Sequence, residues 1–388
     1  GVIVALSMLD VRVTGSALHG ILLTNKVSPA MTGTGTDTCL VANNAANGIY
    51  SRFSWLTATN CTIRSNGWWG IAMEAANGST SSDRLTLENS RVTQNGTNTM
   101  VNVGGILLRN HRAVIRGGSV SQNTGHGIRL DAPVPTGEVP SLVTENAATA
   151  IAMNTTHGIH ALAGTLTLGA RPTITNNTQH GIWMEGATSL AASREVVLQS
   201  NGGDGLRINR FPAATVDING FNIANNTGAG VRLAGGGASG ADANGSVTLR
   251  ASGTCNQAPL CARTFSANNG GHIVDDTGQG ESLNVTWTVA VNTLVDVLGP
   301  AFFRAGSWWT RMELNNGAAI THSNATLATF VSSRAGITVP SAGRQRMKLS
   351  GTITQNNVTA PALPSGDTCG PLNSSVGGVP LLQLAGSN

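Results

Sequence analysis

Short segments in which apolar residues alternate with polar ones recur along most of the chain. Examples are residues 61–64 (CTIR), 172–175 (PTIT) and 285–291 (VTWTVAV). An apolar residue at every second position is the period of a β-strand that buries one face. The pattern therefore predicts a chain built of many short strands.

A Gly followed by Ile, Leu or Val recurs at nearly regular intervals. Successive glycines are 28, 22, 35, 22, 31, 23, 24 and 25 residues apart. They are Gly20, Gly48, Gly70, Gly105, Gly127, Gly158, Gly181, Gly205 and Gly230, and a degenerate copy follows at Gly271. A period in the range of roughly 20 to 50 residues is the signature of a solenoid.

An Asn stands four residues before the Gly in seven of these copies. They are Asn44, Asn66, Asn123, Asn154, Asn177, Asn201 and Asn226. We expect each Asn to tolerate left-handed backbone angles in a turn and to hydrogen-bond its counterpart in the next coil. The Gly should let the chain bend without a clash at Cβ. Stacked units of this kind predict a parallel β-solenoid with right-handed crossovers.

These Asn-x-x-x-Gly-Ile units resemble the right-handed parallel β-helix superfamily, the pectin-lyase-like fold, over about residues 10–280. The resemblance implies an all-β fold, a right-handed parallel β-helix of roughly ten or more coils with an irregular C-terminal cap. Lyases, hydrolases, epimerases, esterases, tailspikes, adhesins and scaffold proteins share this fold, so it does not fix a function. The Arg-Ile-Lys pattern of polygalacturonase-like members is absent, which leaves catalysis open.

The repeat fades towards the C-terminus. We predict β-helix coils over residues 1–280 and final irregular coils or a capping region over 281–359. Residues 360–388 are rich in Pro, Gly and Ser and are predicted to form a tail.

Composition and charge exclude several classes of protein. Of the 388 residues 49 are Gly and only 11% are charged, which argues against coiled coils and charge-driven disorder. The formal charge is +4 and the basic residues form no run, so we expect no nucleic-acid partner. The most apolar stretch, 285–303, alternates like a strand and contains Asp296 and Pro300, so we expect no membrane span.

The cysteines bear on the compartment. Cys255 and Cys261 bracket a short loop, which predicts a local disulfide and an extracellular or cell-surface location. The pairing of Cys39, Cys61 and Cys369 is left open. No cofactor is predicted.

Equivalent positions of stacked coils lie about 4.8 Å apart and form stripes. The residue just before the Gly is His126, His157 and His180 in three successive copies and Asp204 in the next. Imidazole and carboxylate groups bind transition metals, so these four residues are a candidate metal site. The alternative is a turn position that accepts His, with the rings stacked at the surface.

The second residue after the Gly should point outwards from the strand. In five successive copies this position is occupied by Arg129, His160, Trp183, Arg207 and Arg232. Sugar rings stack on Trp, and Arg pairs with acidic groups, so this line is a candidate contact for a polysaccharide, including an acidic one. The alternative is a row of ordinary solvated residues.

The fourth residue after the Gly supplies two candidate catalytic carboxylates. Asp131 and Glu185 should lie two coils apart, about 9.6 Å along the axis. That height is close to the carboxyl separation of inverting glycosidases. The alternative is two unrelated surface carboxylates.

Three functional hypotheses follow. The first is a secreted or cell-surface β-helix with a binding or structural role that contacts polysaccharide along one outer face. The second is a polysaccharide lyase or glycoside hydrolase of the same fold. The third is a subunit of an extracellular assembly, joined through the strand at residues 1–9 at the N-terminal end of the solenoid.

Overall fold

A computed structural model describes the chain as a set of short strands. The described residues are 4–75, 84–98, 102–132, 139–186, 189–192, 195–209, 214–217, 220–234, 246–251, 264–270, 273–276, 284–289, 294–298, 303–305, 309–314, 319–322, 328–332, 344–349, 352–355, 358–361, 368–369, 373–376 and 379–385. Every regular element among them is a β-strand. The chain divides into two compact units, Gly1–Ala187 (unit 1) and Thr188–Asn388 (unit 2).

Each coil of unit 1 contributes one strand to each of three parallel sheets. The first sheet contains β1 (Val4–Leu9), β4 (Val27–Thr32), β7 (Leu56–Thr59), β10 (Arg84–Glu88), β13 (Arg112–Arg116), β16 (Ser141–Thr144) and β19 (Thr165–Leu168). The second contains β2 (Arg12–Thr14), β5 (Cys39–Ala42), β8 (Cys61–Arg64), β11 (Arg91–Thr93), β14 (Gly118–Ser121), β17 (Thr149–Ala152) and β20 (Thr173–Thr175). The third contains β3 (Ile21–Thr24), β6 (Ile49–Arg52), β9 (Trp69–Glu74), β12 (Gly104–Arg109), β15 (His126–Asp131), β18 (Ile159–Ala161) and β21 (Ile182–Glu185).

Unit 2 follows the same three-strand order. Its first sheet contains β22 (Ser189–Ala192), β25 (Ala214–Asp217), β28 (Ser246–Ala251), β31 (Asn284–Val289), β34 (Trp309–Leu314), β37 (Arg344–Leu349) and β40 (Thr368–Cys369). The second contains β23 (Val196–Gln199), β26 (Phe221–Ala224), β29 (Thr264–Ser266), β32 (Leu294–Leu298), β35 (Ala319–His322), β38 (Thr352–Gln355) and β39 (Val358–Pro361). The third contains β24 (Leu206–Asn209), β27 (Val231–Ala234), β30 (Ile273–Asp276), β33 (Phe303–Ala305), β36 (Ala328–Ser332), β42 (Val379–Ala385) and β41 (Asn373–Val376). The pairs β37–β40, β38–β39 and β41–β42 are antiparallel.

The core of unit 1 is a set of aliphatic ladders. The residue after the repeated Gly points inwards, as expected, and is fully buried in six coils: Ile49, Ile71, Ile106, Ile128, Ile159 and Ile182. Burial of one such side chain contributes about 2 kcal/mol, and identical residues in register leave no gaps along the ladder.

The Asn residues form a buried ladder at the corner between the second and third sheets. In unit 1 the amide of Asn123 donates to Oδ1 of Asn154 at 3.0 Å, and that of Asn154 donates to Oδ1 of Asn177 at 2.9 Å. The predicted hydrogen bonding between counterparts is therefore confirmed. The predicted left-handed angle at the same residues is wrong, because it belongs to the residue before each Asn, such as Gln122 (φ 57°) and Met153 (φ 56°).

Two members of the Asn ladders do not follow the Asn-x-x-x-Gly spacing. Asn95 accepts from Asn66 in unit 1, and Asn268 accepts from Asn226 in unit 2. Extra residues separate Asn95 from Gly105, which hides it from a search by spacing. Both could have been found from their position two residues after a strand.

The repeated Gly is required by a close approach between coils. At Gly127 a Cβ would lie 2.5 Å from the carbonyl oxygen of Gly158 and 2.7 Å from the amide nitrogen of Asn154. Any side chain there would push neighbouring coils apart, since real Cβ contacts are never so short. The expectation that Cβ would clash at this position is thus confirmed, with the next coil as the obstacle.

One disulfide, Cys39–Cys61, joins neighbouring coils of unit 1. The two residues are direct register partners on β5 and β8, and their Cα atoms are 4.7 Å apart. Each lies five residues before a ladder residue, Asn44 or Asn66, which is the sequence signal that could have paired them. The predicted Cys255–Cys261 disulfide lies outside the described residues.

Strands continue after residue 280 and also after residue 360, up to Ala385. The boundaries proposed at 280 and 359 stay predictions. Among the described residues, no helix is long and apolar enough to cross a membrane.

Candidate ligand-binding face

The outer face of the third sheet of unit 1 brings several predicted site residues together. Arg129 on β15, His160 on β18 and Trp183 on β21 are direct register partners, as the repeat predicts. Asp131 and Glu185 end two of these strands. We call this the outer face of unit 1.

Four histidines and Trp183 pack into one cluster at the edge of this face. The His126 and His157 rings are stacked 5.3 Å apart, and those of His157 and His180 are stacked 5.1 Å apart. His160 stacks on Trp183 with centroids 4.3 Å apart and ring planes 5° apart. The centroid of the His160 ring also lies 4.8 Å from that of the His126 ring. We call these five residues the histidine cluster.

The residue immediately before the repeated Gly has a structural role that is not evident from the amino-acid sequence. His157 accepts a hydrogen bond through Nδ1 from the backbone N–H of His180, the same position one coil later, at 3.2 Å. Asn47 does the same through Oδ1 for Trp69 at 3.0 Å. In unit 2, Asp204 does so for Ala229 at 2.7 Å. Residues here need a side-chain acceptor that reaches the next coil, which explains why His, Asn and Asp recur.

This geometry gives no support to the candidate metal site of His126, His157, His180 and Asp204. Within the described part of the chain no group of three His, Cys, Asp or Glu side chains is placed to hold a metal ion. Stacked rings point their nitrogens sideways in parallel planes, so they do not converge on one point. Nδ1 of His157 is already occupied, and Nδ1 of His126 lies 2.9 Å from the Thr156 hydroxyl.

The cluster is buried more deeply than expected. His160 was predicted to be exposed but is only 5% exposed, because the rings of His126, His157 and Trp183 cover it. Burial, together with nearby Arg129, lowers the pKa of His126 to about 4. Burial, then His126, Arg129 and His180, lower the pKa of His160 to about 2. Both rings are therefore neutral at pH 7.

His160 is held by a carboxylate. Its Nε2 lies 3.2 Å from Oε2 of Glu185, and a carboxylate can only accept, so we assign the proton to Nε2. The carboxylate favours protonation of the ring, but burial outweighs that effect. Among the described residues, Nδ1 of His160, Nε of Arg129 and Nε1 of Trp183 have no hydrogen-bond partner.

A chain of polar contacts crosses the middle of the face. Arg109 lies between Glu74, at 2.9 Å, and Asp131, at 3.8 Å. Arg129 also lies 3.8 Å from Asp131. The Tyr50 hydroxyl donates to Glu74 at 2.8 Å, and burial followed by this hydrogen bond raises the pKa of Tyr50 to about 12.

The two candidate catalytic carboxylates stand on alternate coils. Leu130 pairs with Ala161, which pairs with Met184, so the neighbouring Asp131 and Glu185 are two coils apart, as predicted. The two carboxylates have different partners. Asp131 contacts the guanidinium groups of Arg109 and Arg129, whereas Glu185 contacts the His160 ring. Their roles in catalysis stay predictions.

In unit 2, the predicted ligand residues Arg207 and Arg232 are direct register partners. Both contact Asp204, which is only 2% exposed. Nε of Arg232 donates to both carboxylate oxygens of Asp204, at 3.0 and 3.1 Å, and NH1 of Arg207 lies 3.7 Å from one of them. Nε of Arg207 donates to Asn209 at 3.1 Å. Their immediate role is to compensate a buried negative charge.

Comparison with known proteins supports the fold. Residues 5–189 match the family model described as the right handed beta helix region. With the strand order above, this match confirms the all-β, right-handed parallel β-helix class and the resemblance noted in the sequence. No curated protein and no solved structure matches the chain. The function must therefore be argued from the site.

Proposed function

We propose that the protein is an extracellular or cell-surface β-helix that binds carbohydrate on the outer face of unit 1. The observation that carries the proposal is the register line of Arg129, His160 and Trp183, which places a guanidinium, an imidazole and an indole side by side on one outer face. The Cys39–Cys61 disulfide is compatible with an oxidising compartment.

The groups around this line suit a sugar. Glu185 and Asp131 are carboxylates that accept from hydroxyl groups, and Arg129 donates. Trp183 offers an apolar ring, but His160 covers one of its faces. A sugar would therefore use the opposite face or the edge of the indole.

The charge balance favours an uncharged glycan over an acidic one. Three guanidinium groups on the third sheet face three carboxylates: Arg52, Arg109, Arg129, Glu74, Asp131 and Glu185. The histidine rings at pKa about 4 and about 2 add no positive charge at pH 7. In unit 2, Arg207 and Arg232 already face Asp204. An acidic chain would thus find no excess positive charge on these described surfaces.

Retention on immobilised polysaccharides tests the proposal. The panel contains cellulose, xylan and galactomannan as neutral glycans and polygalacturonate and heparin as acidic ones. We expect retention on a neutral member, weakened at least tenfold by Trp183→Ala and by Glu185→Gln. Trp55→Ala is the matched control, since Trp55 is a half-buried Trp elsewhere in unit 1. Full retention of the Trp183 and Glu185 variants would remove this site, and failure on every glycan would remove the function.

The alternative function is a glycoside hydrolase or polysaccharide lyase. It is favoured by the placement of Asp131 and Glu185 on alternate coils of one sheet. Reducing ends released from the retained glycan would establish hydrolysis, and ultraviolet absorbance of unsaturated products would establish elimination. Asp131→Asn should abolish release while binding of the substrate persists, and Glu185→Gln should abolish release even at substrate concentrations that offset its weaker binding. Release that continues in both variants would exclude this carboxylate pair.

A further inference from the structure

The outer face of unit 1 carries a second aromatic group, several coils away from Trp183. His19 and Tyr50 stack with centroids 4.8 Å apart, and Trp68 meets the His19 ring edge-on at 6.3 Å. Leu22 is the register partner of Tyr50 and is 58% exposed. We call His19, Leu22, Tyr50 and Trp68 the aromatic patch.

The aromatic patch is supported from beneath. Trp69 and Ala72 on β9 and Leu107 on β12 form a buried apolar cluster, and Tyr50 and Trp68 pack against it. The patch therefore presents fixed rings, which bind with little loss of side-chain entropy.

The two ends of the face share an unusual feature. Within the described residues, the indole nitrogens of Trp68 and Trp183 have no acceptor, although buried indole N–H groups are normally paired. Trp55 shares this property, so the nitrogen alone does not mark a site. Trp68 and Trp183 differ from it in lying at opposite ends of one face with a continuous row of polar side chains between them.

That row is linked by hydrogen bonds and ion pairs, and its charges balance. It runs from the Tyr50 hydroxyl through Glu74, Arg109 and Asp131 to Arg129. Arg129 in turn donates to Asn102 at 2.7 Å. Polar groups with balanced charge can exchange hydrogen bonds with hydroxyl groups without attracting or repelling a charged chain.

We propose that this face binds a single linear, uncharged glycan lying parallel to the solenoid axis, with one end on the aromatic patch and the other at Trp183. The proposal rests on the proposed function and adds the length, direction and charge of the ligand. Tyr50 and Trp183 stand five coil steps apart in the register line, which is about 24 Å. One pyranose unit in a chain is about as long as one coil step, so the face spans about five or six units.

Titration calorimetry with oligosaccharides of increasing length tests this inference. The probes are cello-, xylo- and manno-oligosaccharides of two to eight units. For the series that binds, Kd should fall at least tenfold between two and six units and then stay constant. Trp68→Ala should raise the Kd of the six-unit ligand about tenfold, equivalent to about 1.4 kcal/mol, and leave that of the two-unit ligand unchanged.

The outcomes separate this inference from the proposed function. The unchanged Kd for two units shows that the Trp68 variant is folded, and Trp55→Ala should alter neither Kd. Equal affinity for two and eight units, or a six-unit Kd unaffected by Trp68→Ala, would overturn the extended site while binding at Trp183 stands. Failure of every series to bind would overturn both.

Discussion

At the corner between the second and third sheets, one residue provides the turn conformation of the backbone and the next residue provides the buried side-chain hydrogen bonds. In the coil that contains Gln122 and Asn123, the first adopts the left-handed backbone conformation and the second carries the buried amide of the ladder. Gln122 is exposed, so its side chain contributes little. The ladder position therefore requires the Asn side chain. The position before it, which adopts the left-handed backbone conformation, accepts many residue types.

Replacing Asn123 should be costly. Its Oδ1 accepts from the backbone and side-chain nitrogens of Asn95, both at 3.0 Å, and its Nδ2 donates to Val92 at 3.2 Å and to Asn154 at 3.0 Å. Asn123→Ala leaves these buried groups unpaired and should lower the free energy of unfolding by about 4 kcal/mol. Urea unfolding of the full chain measures the loss.

Gln122→Gly is the matched control at the neighbouring position. Gly adopts the left-handed conformation without the steric cost of a Cβ, so we expect a gain of about 0.5 kcal/mol after the entropy of the unfolded chain is included. A loss at Gln122 as large as that at Asn123 would show that the two residues do not divide the tasks in this way.

The buried carboxylate of Asp204 gives a second prediction at this scale. Arg232→Ala leaves that carboxylate without its closest cation and should lower the free energy of unfolding by about 3 kcal/mol. Asp204→Asn retains an acceptor for the Ala229 N–H, so it should restore much of the loss when combined with Arg232→Ala. A double-mutant cycle from urea unfolding measures the coupling, and additive losses would contradict it.

Individual residues also show where sequence reasoning stops. The repeat predicted that His160, Glu185 and Arg129 would lie on one face, because register follows from spacing. It could not predict that the His160 ring would be covered, since burial depends on the conformations of His126, His157 and Trp183. Nor could it show that Arg232 turns towards Asp204, because the two residues lie 28 positions apart in sequence.

At the scale of strands, the histidine cluster adds contacts between side-chain rings to the backbone pairing of three coils. Rings from β15, β18 and β21 and from the turns before them are stacked or tilted against one another at 4.3 to 5.4 Å. Neutral rings pack well in this arrangement, whereas protonated rings would repel one another and lose hydration. Protonation of His126 or His160 should therefore destabilise the cluster.

Acid should destabilise the protein through this cluster. In the unfolded chain His126 and His160 take up protons near pH 6.5, but in the folded chain only near pH 4 and pH 2. The unfolded state therefore binds more protons below pH 6.5. The stabilisation is complete above that pH and should fall by about 2.7 kcal/mol per pH unit for two protons.

Urea unfolding at pH 7, 6 and 5 measures this dependence above the range in which most carboxylates titrate. His126→Asn keeps a side-chain acceptor at a position where Asn47 already serves, and it should reduce the slope by about half. A flat profile between pH 7 and pH 5 would show that the buried rings do not set the acid stability.

At the scale of the whole molecule, each stacked coil contacts only its neighbours. A disulfide between two adjacent coils stabilises the fold chiefly by restricting the unfolded chain. The repeat made the fold predictable because one local rule, applied coil after coil, generates all three sheets. The spacing of the cysteines alone leaves the partner of Cys39 open, because Cys39 and Cys61 lie on different coils. Aligning Asn44 with Asn66 brings the two cysteines into register.

Loss of this disulfide should weaken the protein measurably. The cysteines are 22 residues apart, and a loop of that length restricts the unfolded chain by about 3 kcal/mol. Cys39→Ala combined with Cys61→Ala should lower the free energy of unfolding by at least that amount. Because reductant would also cleave any disulfide formed by the other cysteines, the same double variant is the control for reduction. Reductant should destabilise the natural chain and have a smaller effect on the variant, and equal effects on both would assign the stabilisation to Cys255, Cys261 or Cys369.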